Sequence, residues 1–310
     1  TNPGERVVYF LAGHGEYDPE STAEESYSQV KQSLESKNYT VKSLSLLVNP
    51  EIPQDALALI VGGYRKPYAE SEVSLIRDYL KQGGSLVVLL EPSILTDFGE
   101  NADPLMAMLE SDWDLIFNDN IVIDLGANPA TVAIANEYGS SPVVDEIRTK
   151  RIVTLFPTAR SVDVKPESTF NPVVLVKTAP QTWGETDMAG LQNNQVTRDE
   201  GQDTVGPVSL GVALEDPQTQ ARVVVYGDSD FAANGNFGLY GNGDLMTNTV
   251  DWAAQQENLI NLTPKQTTQR FIVPPQRTLM GLILLGTIFI IPGAVILSGI
   301  LTWLQRRRRG

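Results

Sequence analysis

DALALIVGGYRKPYAESEVSLIRDYLKQGGSLVVLLEP, residues 55–92, sets two short apolar runs around one amphipathic segment. Asp55 to Gly62 is apolar and closed by Gly62-Gly63, which reads as a strand buried on both faces. Ser71 is a good N-cap, and Val73, Ile76 and Leu80 repeat at helical spacing. That helix runs through Gln82, where Gly83-Gly84 stop it. Ser85 to Leu90 is the next strand, cut off by Pro92. Upstream, Arg6 to Leu11 is a strand ending at Gly13, and Thr40 to Leu47 is another. Between them a helix opens at Ser21 or Thr22 and reaches about Ser36, with Tyr27, Val30 and Leu34 on one face. Downstream, Pro104 starts the helix PLMAMLE at the position proline prefers.

The order is β-α-β-β-α-β-α, which predicts an α/β fold with a mostly parallel, doubly wound sheet. Its glycine-rich turns then fall at strand carboxyl ends, where such sheets bind ligands. Residues 1–112 are the first α/β half of this domain, and 113–260 complete it. In that second part the candidate strands are Ile121 to Asp124, Ile152 to Phe156, Pro172 to Lys177, Val208 to Leu214 and Arg222 to Tyr226. A helix spans about Asp244 to Gln255, with Leu245, Val250 and Ala253 inward. Residues 181–206 are polar and aperiodic, and read as a long surface excursion.

A different rule governs TLMGLILLGTIFIIPGAVILSGILTWL, residues 278–304. It is uncharged and longer than the ~20 residues a helix needs to cross a bilayer. Trp303 and the cluster Arg306, Arg307, Arg308 and Arg309 mark its cytoplasmic end. The expectation is a single C-terminal transmembrane helix after a proline-bearing linker, 261–277, with a basic cytoplasmic tail, 305–310. Residues 1–277 then lie outside the cell membrane, facing the periplasm. That requires a removed signal peptide or an upstream membrane segment.

The formal charge is −15; the tail arginines contribute +4, leaving −19 on residues 1–277. Such a field argues against nucleic acid and against lying flat on anionic lipid. With no cysteine there is no disulfide, thiolate or Cys-type metal chemistry, and one histidine excludes a His-rich metal site.

Three constellations could carry chemistry. Gly13-His14-Gly15-Glu16 ends the first strand, and His with Glu can exchange protons or bind a metal; a tight structural turn is the plainer reading. Gly227-Asp228-Ser229-Asp230 comes after another strand, and Asp-x-Asp can hold a divalent cation, though Asp and Ser also favour turns and caps. Glu91-Pro92 closes the strand at 85–90. No GxGxxG, P-loop or G-x-S-x-G occurs. His14, Glu16, Gly63, Glu91, Asp228 and Asp230 are the candidate ligand cleft. No catalytic set is complete, so no enzyme activity, cofactor or resident metal is expected. A tethered hydrolase using Asp228, Asp230, His14 and a divalent metal is the enzymatic alternative. A structural adaptor gripping a partner with 181–206 is a third.

Four stretches in order carry a family likeness: FLAGHGEYD at 10–18, ALIVGGYRKPYAESEVSLIRDYLKQGGSLVVLLEP at 58–92, VKTAPQTWGETD at 176–187 and VVVYGDSDFAANGNFGLYGNGDLMTNTVDWAAQQENLI at 223–260. Together with the C-terminal apolar stretch, the chain resembles the GldG-like auxiliary proteins of ABC transport systems. The resemblance implies an extracytoplasmic α/β domain of the GIFT type, tethered near an ABC-2-type permease and its ATPase. It also implies an N-terminal membrane helix, a possible small-molecule or polymer ligand, and lipid contact through the C-terminal helix. No catalytic residue is carried over; Asn248 and Trp252 join His14, Glu16, Asp228 and Asp230 as candidates for a shared cleft or for folding.

Overall fold

The computed structural model describes residues 6–98, 103–193, 196–256, 289 and 291–309. Residues 1–264 form one compact unit and 265–310 another.

The first unit opens with β1 (Arg6–Leu11), α1 (Ser28–Ser36), β2 (Tyr39–Leu44), β3 (Ala56–Gly62), α2 (Glu70–Lys81), β4 (Ser85–Leu89) and α3 (Pro104–Asp112). Then come β5 (Leu115–Phe117), β6 (Ile121–Ile123), β7 (Val132–Tyr138), α4 (Asp145–Lys150), β8 (Thr154–Pro157), β9 (Val162–Val164) and β10 (Val173–Thr178). β11 (Trp183–Glu185), α5 (Met188–Gln192), β12 (Thr204–Val205), β13 (Ser209–Glu215), β14 (Arg222–Tyr226), α6 (Asn234–Phe237) and α7 (Asn242–Ala253) complete it.

Nine strands form one sheet in the order β2-β1-β3-β4-β14-β13-β10-β7-β8. The strands β2 to β14 in that order are parallel; from β14 onward each pairing is antiparallel. The sheet is therefore mixed, not mostly parallel. β13 and β14 are joined by a short turn, closed by the Asp216 amide on the Ala221 carbonyl at 2.9 Å, and so short a link can only reverse direction.

Both faces are covered. Val8, Phe10, Val87, Leu89, Val224 and Tyr226 pack on one side with Val30 and Leu34 of α1 and Leu245 and Val250 of α7. Their chain neighbours Val7, Tyr9, Leu86, Val88, Val223 and Val225 pack on the other, with Val73, Ile76 and Leu80 of α2 and Leu105 and Leu109 of α3. This period-2 alternation with both sides apolar is why these strands read as continuous hydrophobic runs.

Element ends depart from expectation where tertiary contacts overrule local signals. α1 begins at Ser28, not Ser21 or Thr22, because its first amides find Asn234: the Gln29 amide donates to Asn234 Oδ1 at 2.9 Å. α2 begins at Glu70, one residue before Ser71, and Glu72 reaches back to accept from the Ala69 amide at 3.0 Å. β2 stops at Leu44; Leu47, placed in the strand by its apolarity, is exposed. In the polar stretch 181–206, β11 and β12 pair with each other, and β11 also pairs with β6 in a small separate sheet.

In the second unit the described helix is α8 (Ile291–Arg309). Residues 278–288 and 290 of the predicted span, and the linker 261–277, lie outside the described residues. Among the described residues no helix is long and apolar enough to cross a membrane.

Candidate functional site

β4 and β14 lie side by side with Leu89 opposite Tyr226, so the segments leaving the two strands meet at the carboxyl edge of the sheet. Glu91 comes after β4 and Asp228-Ser229-Asp230 after β14. One carboxylate oxygen from each of Glu91, Asp228 and Asp230 lies within 4.8 Å of the others. Glu91, Asp228 and Ser229 are buried. Ser229 Oγ donates to Glu91 Oε1. Asp228 accepts from the amides of Asp230 and Phe231, each at 3.1 Å, so it also caps the turn that starts there. The Tyr17 hydroxyl donates to Asp230 Oδ1 at 2.7 Å, and the Tyr27 hydroxyl to the Ser229 carbonyl at 3.1 Å.

Burial pushes the Glu91 carboxyl up to about 7; the Asp230 charge adds to this, and the Ser229 hydrogen bond and Arg65 oppose it. Burial, then the charges of Glu91 and Asp230, hold Asp228 well above the ordinary carboxylate range. Asp230 is raised as well, chiefly by burial. Carboxyls this close disfavour one another's ionisation, which adds to the effect of burial and pushes the cluster toward its protonated forms.

His14 is elsewhere on the same edge, in the turn after β1. Its ring stacks on Tyr68 with centroids 4.1 Å apart and 25° between planes. Nε2 lies 3.1 Å from Glu72 Oε2, and Nδ1 lies 3.5 Å from Glu16 Oε1. Glu16 also accepts from the Tyr68 hydroxyl and, at 2.6 Å, from the His14 amide. Burial alone would lower the imidazole; the hydrogen bond to Glu16 and the charges of Glu72 and Glu16 outweigh it, and the net direction is up. Burial would likewise raise Glu16, but its bonds from His14 and Tyr68 win and its carboxyl is lowered. The imidazole thus lies between two carboxyl groups, Glu72 at its Nε2 edge and Glu16 at its Nδ1 edge.

Two glycines let backbone pass where a side chain cannot. Gly63 has φ +69°, and a Cβ there would sit 2.6 Å from Tyr17 Cδ1. At Gly227 a Cβ would sit 1.9 Å from the Arg160 carbonyl oxygen. Beside the β1 turn lies a pocket of about 290 Å³, lined by Gly13, Gly15, Glu16, Tyr17, Asp18 and Ser43 among others.

Of the residues singled out in the sequence, Glu91, Asp228 and Asp230 come together. Gly63 holds the floor under Tyr17, whose hydroxyl reaches Asp230. His14 and Glu16 form a second cluster and belong to no three-residue group with metal-holding geometry among the described residues. Asn248 and Trp252 are on α7, where each makes a contact within the α/β unit. Asn248 Nδ2 donates to the Val143 carbonyl at 3.2 Å, and the Arg222 guanidinium lies 4.6 Å from the Trp252 ring. Of the expected membrane-end residues, Arg307 stands over the Trp303 ring at 5.4 Å, and Arg306, Arg308 and Arg309 share its helix. Sequence reasoning missed Tyr17, Tyr68 and Glu72. Glu72 had a signal, three residues after the true N-cap position, hidden by the better-looking cap at Ser71.

Residues 5–249 match the model of a family described as an ABC-type uncharacterized transport system. No curated protein matches the chain. Among solved structures, the chain is similar to the mmIFT52 N-terminal domain, with 13% identity and TM-score 0.57, covering 80% of this chain and 97% of that one. It also matches the Cytoplasmic Protein STM3548 from Salmonella typhimurium, at 12% identity and TM-score 0.46, covering 80% and 98%. A third match is a polyextremophilic beta-galactosidase from the Antarctic haloarchaeon Halorubrum lacusprofundi, at 10% identity and TM-score 0.43, covering 82% of this chain and 30% of that one. At these identities the likeness is one of fold.

Proposed function

The chain belongs to this family of ABC-type transport system auxiliary proteins, and from that membership we propose that it is a non-catalytic, membrane-anchored subunit of an ABC-2-like complex. The match over residues 5–249 carries the reading. The α/β unit is the GIFT-type domain of a GldG-like protein, held on the extracytoplasmic side of the inner membrane by the apolar stretch 278–304. A permease and an ATPase are its partners, and the ATPase supplies the hydrolysis for which this chain has no nucleotide loop. The carboxyl edge with Glu91, Asp228 and Asp230 is the ligand- or partner-facing side. Its carboxylates already accept from Ser229, Tyr17 and two backbone amides, which suits a binding edge more than a free nucleophile. The test is to isolate the intact chain from its native membrane in mild detergent and identify what stays bound by mass spectrometry. An ATPase and a multi-span permease in stoichiometric amounts are expected; the chain emerging alone would sink the proposal.

A metal-dependent hydrolase is a second reading, favoured by the convergence of three carboxylates within 4.8 Å. Its ligands would be Glu91, Asp228 and Asp230, with His14 outside the set. It expects a thermal shift with Mg²⁺, Mn²⁺, Ca²⁺ or Zn²⁺ that Asp228→Asn abolishes. No shift with any of the four removes it.

A further inference from the structure

At the opposite edge of the sheet, where α2 ends, a second pocket of about 200 Å³ opens between α2, the residue after α3 and the turn between β13 and β14. Leu80 and Trp113, both buried, and half-buried Phe170 supply its apolar lining. The Trp113 and Phe170 rings pack with centroids 4.9 Å apart and 31° between planes.

Four charged groups line the same pocket, and their bonding is unequal. Asp112 is engaged through both oxygens: Oδ2 accepts from Arg77 Nε at 2.7 Å, and Oδ1 from Ser111 Oγ at 2.7 Å. Asp216 is engaged through both oxygens too: Oδ1 accepts from the Gln218 amide at 2.8 Å and Oδ2 from Thr219 Oγ1 at 2.7 Å. The Asp112 bond turns the guanidinium by its Nε and leaves the two terminal nitrogens of Arg77 without a partner among the described residues. The Lys81 ammonium likewise has none among the described residues. The hydrogen-bond donors left without a partner are therefore cationic and, on Arg77, forked, above an aromatic and aliphatic floor.

We infer that this pocket binds a small aromatic carboxylate, whose carboxylate is taken by the Arg77 fork and the Lys81 ammonium while its ring packs on Trp113 and Phe170. Guanidinium donors match a carboxylate two at a time, and an ammonium adds a point charge. The volume suits a single ring with a short side chain, and the lining has the usual plan of an apolar site with few convergent polar groups. Residues 1–277 carry a formal −19, so an anion gains nothing from the overall field and its binding must come from these two side chains. The site is a helix length from the carboxyl edge and stands whether or not the transport reading does.

The probe is 3-phenylpropionate, titrated calorimetrically into the full chain in detergent with the detergent alone as blank. Neutral 3-phenylpropanamide and aliphatic hexanoate are the comparison ligands. The carboxylate should saturate and bind about tenfold or more tightly than the amide, since charged hydrogen bonds carry the difference. It should also bind more tightly than hexanoate. Lys81→Met, at an exposed position outside the core, should remove most of the preference over the amide, and Arg77→Met the rest. Trp113 emission should shift on saturation, with Trp113→Phe silencing the signal. Equal affinity for acid and amide would leave only an apolar crevice and overturn the inference. So would binding of hexanoate as tight as that of the aromatic acid, or no saturation by 3-phenylpropionate.

Discussion

Glu91 enters the fold with its carboxyl held at about 7, chiefly by burial. Its folded value lies above the ~4.3 of an unfolded glutamate, so the stabilisation from that proton is complete below ~4.3 and is lost as pH rises through 7. Asp228 and Asp230 are raised too, so they slope the same way. His14 is also raised, but its contribution is intact below ~6.5 and disappears only as pH rises through its own higher folded value. Between pH 5 and 6.5 the carboxyl cluster therefore contributes to the slope alongside the buried carboxyls of Asp103, Asp163 and Asp251, which are raised as well, and the variant isolates the share that belongs to Glu91. Glu91→Gln keeps an acceptor for Ser229 and removes one of the three charges. The melting temperature of the parent chain should fall over that interval, and that of the variant should fall less. Parallel curves would put the retained proton elsewhere. A second residue-scale consequence concerns Gly63, whose φ is +69° and whose added Cβ would strike Tyr17. Gly63→Ala should cost roughly 2–4 kcal/mol by chemical denaturation, from left-handed strain and overpacking combined; a loss under ~0.5 kcal/mol would mean Tyr17 yields freely. The Asp-Ser-Asp and Gly-His-Gly-Glu turns were legible because each comes after an apolar strand, and strand ends carry sites in such sheets. The His14–Glu72 pair was not, because it depends on which side of the first turn of α2 faces the β1 turn.

α1 shows why an element can be right in kind and wrong at its start. Ser21 and Thr22 have capping side chains, yet the helix waits until Ser28. Asn234, far along the chain, takes the cap: its Oδ1 accepts from the Gln29 amide at 2.9 Å, and its Nδ2 donates to the Ala23 carbonyl at 2.7 Å. One side chain thus fixes both the helix start and the loop before it. Asn234→Ala should cost about 1–2 kcal/mol, the range for losing an N-cap. Asn234→Asp, which keeps the acceptor, should recover most of it. Equal losses would assign the effect to the Ala23 contact instead. Other elements escaped the sequence for related reasons. Val132 to Tyr138 (VAIANEY) mixes helix and strand formers, and its strand state is set by pairing on both sides with β8 and β10. β11 and β12 are too short to show a period and exist through β6.

At the scale of the whole unit, the last strand completes what the first four began: β14 lies between β4 and β13, so the centre of the sheet closes only when residue 226 is in place. α7 then ties the end of the unit to its beginning. Lys37, just past α1, puts Nζ 2.6 Å from Asp251 Oδ2, and the Tyr39 hydroxyl donates to Oδ1 at 2.9 Å. Lys37 and Asp251 are both buried. Taking two charges out of water costs about what their attraction returns, so the pair adds little net stability and mainly fixes which surfaces meet. Breaking it from one side is different, because an uncompensated charge is left behind. Lys37→Met should destabilise the unit by roughly 3–5 kcal/mol, because burial already pushes the Asp251 carboxyl up and the variant removes the ammonium that opposes that push. Lys37→Met combined with Asp251→Leu should return to within ~1–2 kcal/mol of the parent, since neither charge then needs a partner. Denaturant melts of the parent, the single and the double variant decide it. A double variant as unstable as the single would show that the pair contributes attraction beyond its desolvation cost, and that closure of the unit depends on the charges rather than on the packing of α1 and α7 around them.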